Sequence, residues 1–240
     1  MSMFQELILT FVALTTLQAF RYFVFAGAAF FLVKKVKALQ AKPMQPNPVK
    51  KADILRDIKY SVQTVTIYGL MLSTTLNPYV RPYTKIYMDV NERGIGWIIF
   101  CFVLLFIIHD TYFYWMHKTL HLPFFFKRFH RTHHLSTNPT SMSSQAFHPV
   151  EAFAELFWFF PVVFILPMHV SVPMGFSLMT FLYNIYAHSH FELAPDWLLK
   201  SPYFKWFNPA INHNIHHKRS QGNYGLYFTF WDKVMKTHRK

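Results

Sequence analysis

Three runs of histidine set the hardest constraint on how this chain can fold. His117-Lys-Thr-Leu-His121 spaces two imidazoles four apart, and His130-Arg-Thr-His133-His134 uses spacings of three and four. His213-Asn-Ile-His216-His217 repeats the second pattern 83 residues later. On a helix such spacings put the rings of each run on one face. A lone histidine on an apolar face is usually a satisfied core residue. Eight in three helically spaced runs, in a chain with 11 acidic residues, do not fit that account. Imidazole binds zinc, copper, iron and nickel. One zinc takes four ligands at most, and a catalytic zinc three plus water. Eight or nine imidazoles therefore suit two ions with four or five protein ligands each, and the fold must gather distant segments in one place.

His188, in FLYNIYAHSHFE, supplies a ninth ligand. Asn184 lies four residues earlier on the same helical face, as a water-mediated or supporting partner, while His190 points away if the helix continues. His109 precedes Asp110, which shares a face with His117 but sits too far along the axis to touch it. Asp110 either orients a ligand from another segment or forms a structural ion pair. In His148-Pro-Val-Glu151 the ring and the acid pair at the mouth of a hairpin, in a functional or a structural role. His169 and His238 read as incidental.

The surroundings suit lipid better than water. Hydrophobic residues make up 52% of the chain and charged ones 15%, too greasy for an average soluble domain. Leu7 to Val33 is long enough to span a bilayer, with Arg21 facing protein or water. Charges follow this run instead of preceding it, unlike a cleaved signal peptide. Ile54 to Leu76 is a weaker segment and Trp97 to Ile108 a strong one. Phe153 to Ala187, broken by Pro161, Pro167 and Pro173, reads as two spans or a re-entrant pair. The expected fold is all-α and integral to the membrane, with about four transmembrane helices and a histidine-rich di-metal helical domain on the cytosolic face. Residues 41–48 read as a linker between helices, and Cys101 as a buried small hydrophobe.

The net charge of +13 does not point to nucleic acid. Its basic residues flank apolar runs: Lys34, Lys35 and Lys37, then Lys50 and Lys51, then Lys233, Lys236, Arg239 and Lys240. That distribution follows the positive-inside rule and puts the dense histidine runs on the cytosolic side. The chain contains no Glu-x-x-His or His-Glu-x-x-His, no Gly-x-Gly-x-x-Gly loop and no Gly-x-Ser-x-Gly elbow. These absences disfavour carboxylate-bridged di-iron bundles, zinc proteases, dinucleotide enzymes and serine hydrolases.

HKTLH (117–121), HRTHH (130–134) and HNIHH (213–217) resemble the three histidine boxes of the sterol desaturase/fatty acid hydroxylase superfamily. HDTYFYWMH (109–117) resembles the family's aromatic approach to its first box. AFHPVE (146–151) resembles its His-Pro-x-Glu segment, and NYGLYFTFWDKVMKT (223–237) its C-terminal signature. The likeness runs from about residue 97 to 237 and is nearest to C5 sterol desaturases and bacterial-type relatives. His190 departs from the Gly or Asn often found there. The boxes of acyl-CoA desaturases look alike, but AFHPVE and NYGLYFTFWD favour the sterol desaturase side.

Residues 1–95 read as N-terminal membrane helices and a basic linker, and the resemblance implies a di-iron catalytic domain over residues 96–240. It implies two iron ions, cycling between Fe2+ and Fe3+, on His117, His121, His130, His133, His134, His188, His213, His216 and His217. Asp110, Asn184, His148 and Glu151 are the supporting candidates, and no catalytic residue is expected beyond the ligands. The implied activity is hydroxylation or desaturation of a lipid (sterol, fatty acyl or sphingoid) with O2 and external electrons. Phe124, Phe125, Phe126 and Trp158 either line an apolar path or pack against lipid. A cytochrome b5 or ferredoxin-type donor would meet the basic face of Lys118, Lys127, Arg128 and Arg131, which serves equally for anionic lipid heads. The expected location is a bacterial inner membrane, favoured by the compact length, or the endoplasmic reticulum of a eukaryote. The rival reading, a histidine-rich membrane metal transporter or metal-binding protein, would want ionisable residues along the spans.

Overall fold

The first helix, α1 (Met3–Lys35), begins at a capping box in which Ser2 and Gln5 bond each other's backbone amides. It ends on Lys34 and Lys35, whose charge suits the helix C-terminus. The computed structural model describes residues 2–40, 42–45 and 48–239. At Tyr22–Ala26 the helix widens into a π turn. There Tyr22 donates its hydroxyl to the Met142 carbonyl at 2.8 Å, and Ser141 donates to the Ala26 carbonyl at 2.9 Å. Arg21 faces protein: its guanidinium donates to Gln18 and Ser177 and lies over the ring of Phe181.

Helix α2 (Lys51–Leu76) packs along α1. The two approach so closely at Gly69 that a Cβ there would collide with Thr15. The chain then crosses a long connection, residues 77–93, turns at Gly94 with φ of +74°, and enters α3 (Gly94–Leu120). Ile95, Ile99, Val103 and Ile107 recur every fourth residue and are each more than half exposed. Such a stripe needs an apolar covering. The opposite face buries Cys101 and Leu105.

Pro123 opens a helical segment, residues 123–134 (α4), with a π turn at Phe126–His130. Helices α5 (Pro149–Phe157) and α6 (Phe159–Ile165) follow. Strand β1 (Ile86–Tyr87) pairs in parallel with β2 (Met168–His169), closing the end of the bundle that holds Gly94. Helix α7 (Ser171–Ala187) runs from there along α3. The remaining elements are α8 (Asp196–Leu199), α9 (Ala210–Arg219) and α10 (Phe230–Val234). Trp158, Phe159, Val163, Met168, Val172 and Phe176 close the main apolar core around Cys101 and Leu105.

The protein is mostly helical, as expected. Among the described residues, two helices, Met3–Lys35 and Gly94–Leu120, are long and apolar enough to cross a bilayer. Helix α2 buries polar side chains, Asp57, Ser61, Thr64 and Ser73. The 17 residues of α7 fall short of the roughly 20 that a span needs. The prolines divide the Phe153–Ala187 region into α5, α6 and α7. Of the expected linker, Ala41, Pro46 and Asn47 lie outside the described residues. Its remainder is tied down: Lys42 and Met44 bond the backbone at Glu192 and His190, and Gln45 donates to Asn214 on α9 at 2.9 Å.

Replacing Gly69 by leucine should lower stability by about 1–3 kcal/mol through overpacking against α1. Leucine at Gly27, where nothing lies within 4 Å, is the control. A thermal melt in detergent reads both, and equal midpoints for the two variants would refute the close α1–α2 contact.

Candidate metal centre

Nine imidazoles meet where α3, α4, α7 and α9 end or cross. His117 and His121 occupy the last turn of α3 and its C-cap. His130, His133 and His134 lie on α4, His188 caps α7, and His213, His216 and His217 lie on α9. They form two groups, within each of which the ligand atoms lie within 4.8 Å of one another. His117, His121, His130, His134 and His216 make one, and His133, His188, His213 and His217 the other. Both histidine triplets are shared out. His130 and His134 serve the first group while His133 turns to the second, and His213 and His217 serve the second while His216 turns to the first. One helical face thus becomes the wall between two adjacent sites.

The Nε2 atoms converge. In the first group His117–His130, His130–His134, His134–His216 and His121–His216 are each 3.1 Å apart. In the second, His188–His213 and His213–His217 are 3.1 Å apart and His133–His188 3.4 Å. Nitrogens bound at about 2.1 Å to one metal stand about 3.0 Å apart at right angles and about 3.4 Å apart in a tetrahedron. The observed separations fit those edges.

The opposite ring nitrogens explain the orientation. His117 Nδ1 donates to the Tyr224 carbonyl at 2.9 Å, His188 Nδ1 to Asn184 at 2.8 Å, and His216 Nδ1 to Gly222 at 2.7 Å. A carbonyl only accepts, so these three rings carry their proton on Nδ1 and aim a bare Nε2 lone pair inward. His130 Nδ1 meets Glu151 Oε1 at 2.6 Å, both groups being buried. A shared proton can relieve one pair of facing nitrogens, but a central cation satisfies a whole ring of them. The donor set therefore fits two metal ions with imidazole ligands, and no carboxylate belongs to either group.

Burial pushes the rings outside α3 toward their neutral form. It lowers His134 to about 3 and His188 to about 4, and His130, His133, His213, His216 and His217 well below the ordinary range. Neighbouring imidazoles add to the effect in most of them. Neutral imidazole is the form that binds a metal.

The supporting residues differ in part from the sequence expectations. Glu151 pairs with His130 and not with His148, whose ring instead caps α5 by accepting the Val150 amide at 3.2 Å. The intervening proline starts the helix and turns the acid inward, away from that ring. Asp110 touches no ligand: it accepts the amides of Tyr227 and Phe228 at 2.9 and 3.2 Å. Asn184 supports His188 through its backbone carbonyl, while its side chain lines a narrow cavity beside both groups with Phe113, Phe147 and Glu155. His190 lies outside both groups, bonded to Asn138. Trp158 belongs to the core and stacks on His109. Of the expected aromatics Phe126 alone packs against ligand rings, those of His121, His130 and His134.

Sequence reading missed the C-terminal loop as a positioning device. Asp232 accepts the amides of Tyr224 and Gly225 at 3.0 and 2.8 Å, and Asp110 anchors the same loop two residues on. Ser220, Gly222 and Asn223 all have positive φ, which lets the chain fold back so that two carbonyls face His117 and His216. The Asn223 and Gly222 pair was the available signal.

Compared with known proteins, residues 102–237 match the model of the fatty acid hydroxylase family. Lathosterol oxidase of Rattus norvegicus is 28% identical over 186 residues, which is 77% of this chain and 60% of that protein. The lathosterol oxidase of Mus musculus is 30% identical over the same shares. A Delta(7)-sterol 5(6)-desaturase of Gibberella zeae is 26% identical over 221 residues, 92% of this chain and 65% of that protein. The chain thus spans less than two thirds of the length of these relatives. No solved structure matches it.

Lowered histidine pKa values carry a sign that can be measured. The unfolded rings titrate near 6.5, so as pH falls the unfolded chain takes up protons before the folded one does. The metal-free protein should lose stability progressively from about pH 6.5 downward, through the values near 4 and 3 of His188 and His134. Melting curves of metal-free protein across that window check it; a midpoint independent of pH would contradict the buried neutral rings. Replacing Glu151 by alanine should weaken metal binding by about 10–100-fold, read by competition with a chelator.

Proposed function

The chain belongs to the fatty acid hydroxylase family, and with it to the sterol desaturase/fatty acid hydroxylase superfamily; from that premise we propose that it is a membrane-bound non-haem di-iron oxidoreductase that hydroxylates or desaturates a lipid. The observation that carries this reading is the pair of adjacent groups, five and four inward-facing imidazoles, at the end of an apolar membrane-length helix. Iron bound there supplies the redox chemistry by which O2 and external electrons remove hydrogen from an unactivated C–H bond. The nine histidines are the proposed ligands, residues 96–240 the catalytic domain, and residues 1–95 its membrane anchor and linker.

The chain's own part is positional. Carbonyls of Tyr224, Asn184 and Gly222 hold His117, His188 and His216 in the ligating tautomer. Glu151 holds His130. Phe113 and Phe147 are the apolar walls of the cavity beside both groups, and Asn184, Glu151 and Glu155 are its non-histidine polar walls. The basic side chains of Lys127, Arg128 and Arg131 are exposed on the strand of helix that carries the second box. They suit an acidic electron carrier of cytochrome b5 or ferredoxin type.

We place the active site on the cytosolic side of a multi-pass protein, with α1 and α3 crossing fully and α2 with the α5–α7 region completing about four membrane passages. A metal transporter is less well supported, because the histidines cluster at helix ends and do not line a path through the spans.

Protein loaded anaerobically with ferrous iron should hold two irons per chain, and His216→Ala or His213→Ala should each remove one, the first from the five-histidine group and the second from the other. Elemental analysis reads this, and zinc in place of iron with no oxygen-dependent optical change would refute the reading. Lipids of cells with and without the gene should differ by a product heavier by one oxygen or lighter by two hydrogens in mass spectrometry.

A further inference from the structure

A second cavity lies on the side of α7 away from the histidines. It has a volume of about 320 Å3 and is walled by Leu193, Ala194, Leu198, Phe204 and Phe207 on one side and by Tyr183, Tyr186 and Asn208 on the other. That size is at the lower end of small-ligand pockets. Its polar groups are already used. The Tyr183 hydroxyl donates to the Asn208 carbonyl and the Tyr186 hydroxyl to Glu192. The Asn208 amide donates to the carbonyls of Gly225 and Leu226, and its oxygen accepts from Asn212. With every hydroxyl and amide of the wall engaged internally, the cavity selects an apolar guest.

Its depth identifies the source of that guest. From Gly94 to Trp115, α3 rises about 32 Å at about 1.5 Å per residue, close to the roughly 30 Å hydrocarbon core of a bilayer. Trp115 packs on Trp231 with Lys118 over its ring, as expected of a residue at the membrane–water boundary. The cavity wall is tied to this level: Phe207 packs on Phe228, and Thr229 donates to the Trp206 carbonyl at 2.9 Å. The outer side of the same segment shows Trp197 at 74%, Tyr203 at 82% and Trp206 at 47% exposure. Lys200 and Lys205 alternate with them, and Lys233 lies 4.3 Å over the Trp206 ring. Exposed aromatics interleaved with lysines match a headgroup layer carrying negative charge.

We infer that residues 193–207 rest on an anionic bilayer surface and that the cavity behind them takes the acyl tail of a lipid from that leaflet. This rests on the membrane reading above and is independent of the iron chemistry. The same apolar tail could belong to a bilayer phospholipid or to a substrate-class lipid, and mass separates the two.

The test uses the full iron-loaded chain in nanodiscs of phosphatidylglycerol of one acyl length, released in mild detergent and examined by native mass spectrometry. Wild type should retain one lipid. Leu198→Trp and Leu193→Trp, which fill the cavity from two positions, should each lower retention about tenfold, the loss of roughly two buried methylenes. Iron content should stay unchanged, which shows that the variants fold. A retained mass that follows the supplied acyl length identifies a bilayer lipid, and a mass that ignores it identifies a substrate-class one; both support the site. Retention by both folded variants equal to wild type, or no lipid on wild type, overturns the inference. Absence of iron with lipid retained would instead count against the proposed metal chemistry alone.

Discussion

Everything at the centre of this protein turns on which nitrogen of each imidazole holds the proton. A ring that gives its Nδ1–H to a carbonyl has no choice but to point a lone pair the other way. His117, His188 and His216 are held like this by Tyr224, Asn184 and Gly222. Burial then keeps the rings neutral, since a charged imidazole in such surroundings has lost its water without gaining a counter-ion. Several lone pairs facing one another are unfavourable until a cation lies between them. The fold bears that repulsion because the carbonyls are themselves fixed, two by a backbone loop and one by the last turn of α7.

That loop links the far end of the sequence to the membrane helices. Asp110 on α3 accepts from Tyr227 and Phe228, and Asp232 on α10 accepts from Tyr224 and Gly225. Two of the chain's 11 acids are thus spent on backbone amides, which positions the carbonyl behind His117 without placing either carboxylate among the nine imidazoles. At the opposite side, the π turn of α1 meets the 141–143 turn, and α2 ties Asp57 to Ser136 at 2.6 Å beside the second box. The N-terminal helices accordingly buttress the segment that carries His130, His133 and His134.

Much of the site was legible from spacing. The i, i+3 and i+4 pattern identified each histidine run, and the excess of imidazoles over what one ion can use predicted two groups. The supporting residues were less legible. Asp110 was open to two readings, orienting a histidine of another segment or forming a structural ion pair, and it does neither: it accepts backbone amides 117 and 118 residues away. His148 and Glu151 looked like a pair because they are close in sequence, but the first turn of α5 separates them, and the acid meets a ring 21 residues earlier. Trp158 was open to two readings, a path wall or packing, and it packs, in the core and not against lipid. In each case the side chain's direction depends on a contact that no local pattern encodes.

The sequence by itself determined the helical character, the apolar runs and the gathering of nine histidines, because periodicity and composition follow from residue identity alone. Tertiary structure decided how the triplets divide between two sites, with His133 and His216 each turned away from their own neighbours. A helix spreads residues three and four apart over a finite arc. Which edge of that arc faces which site depends on how α3, α4, α7 and α9 cross, and crossing is settled only when the side chains pack.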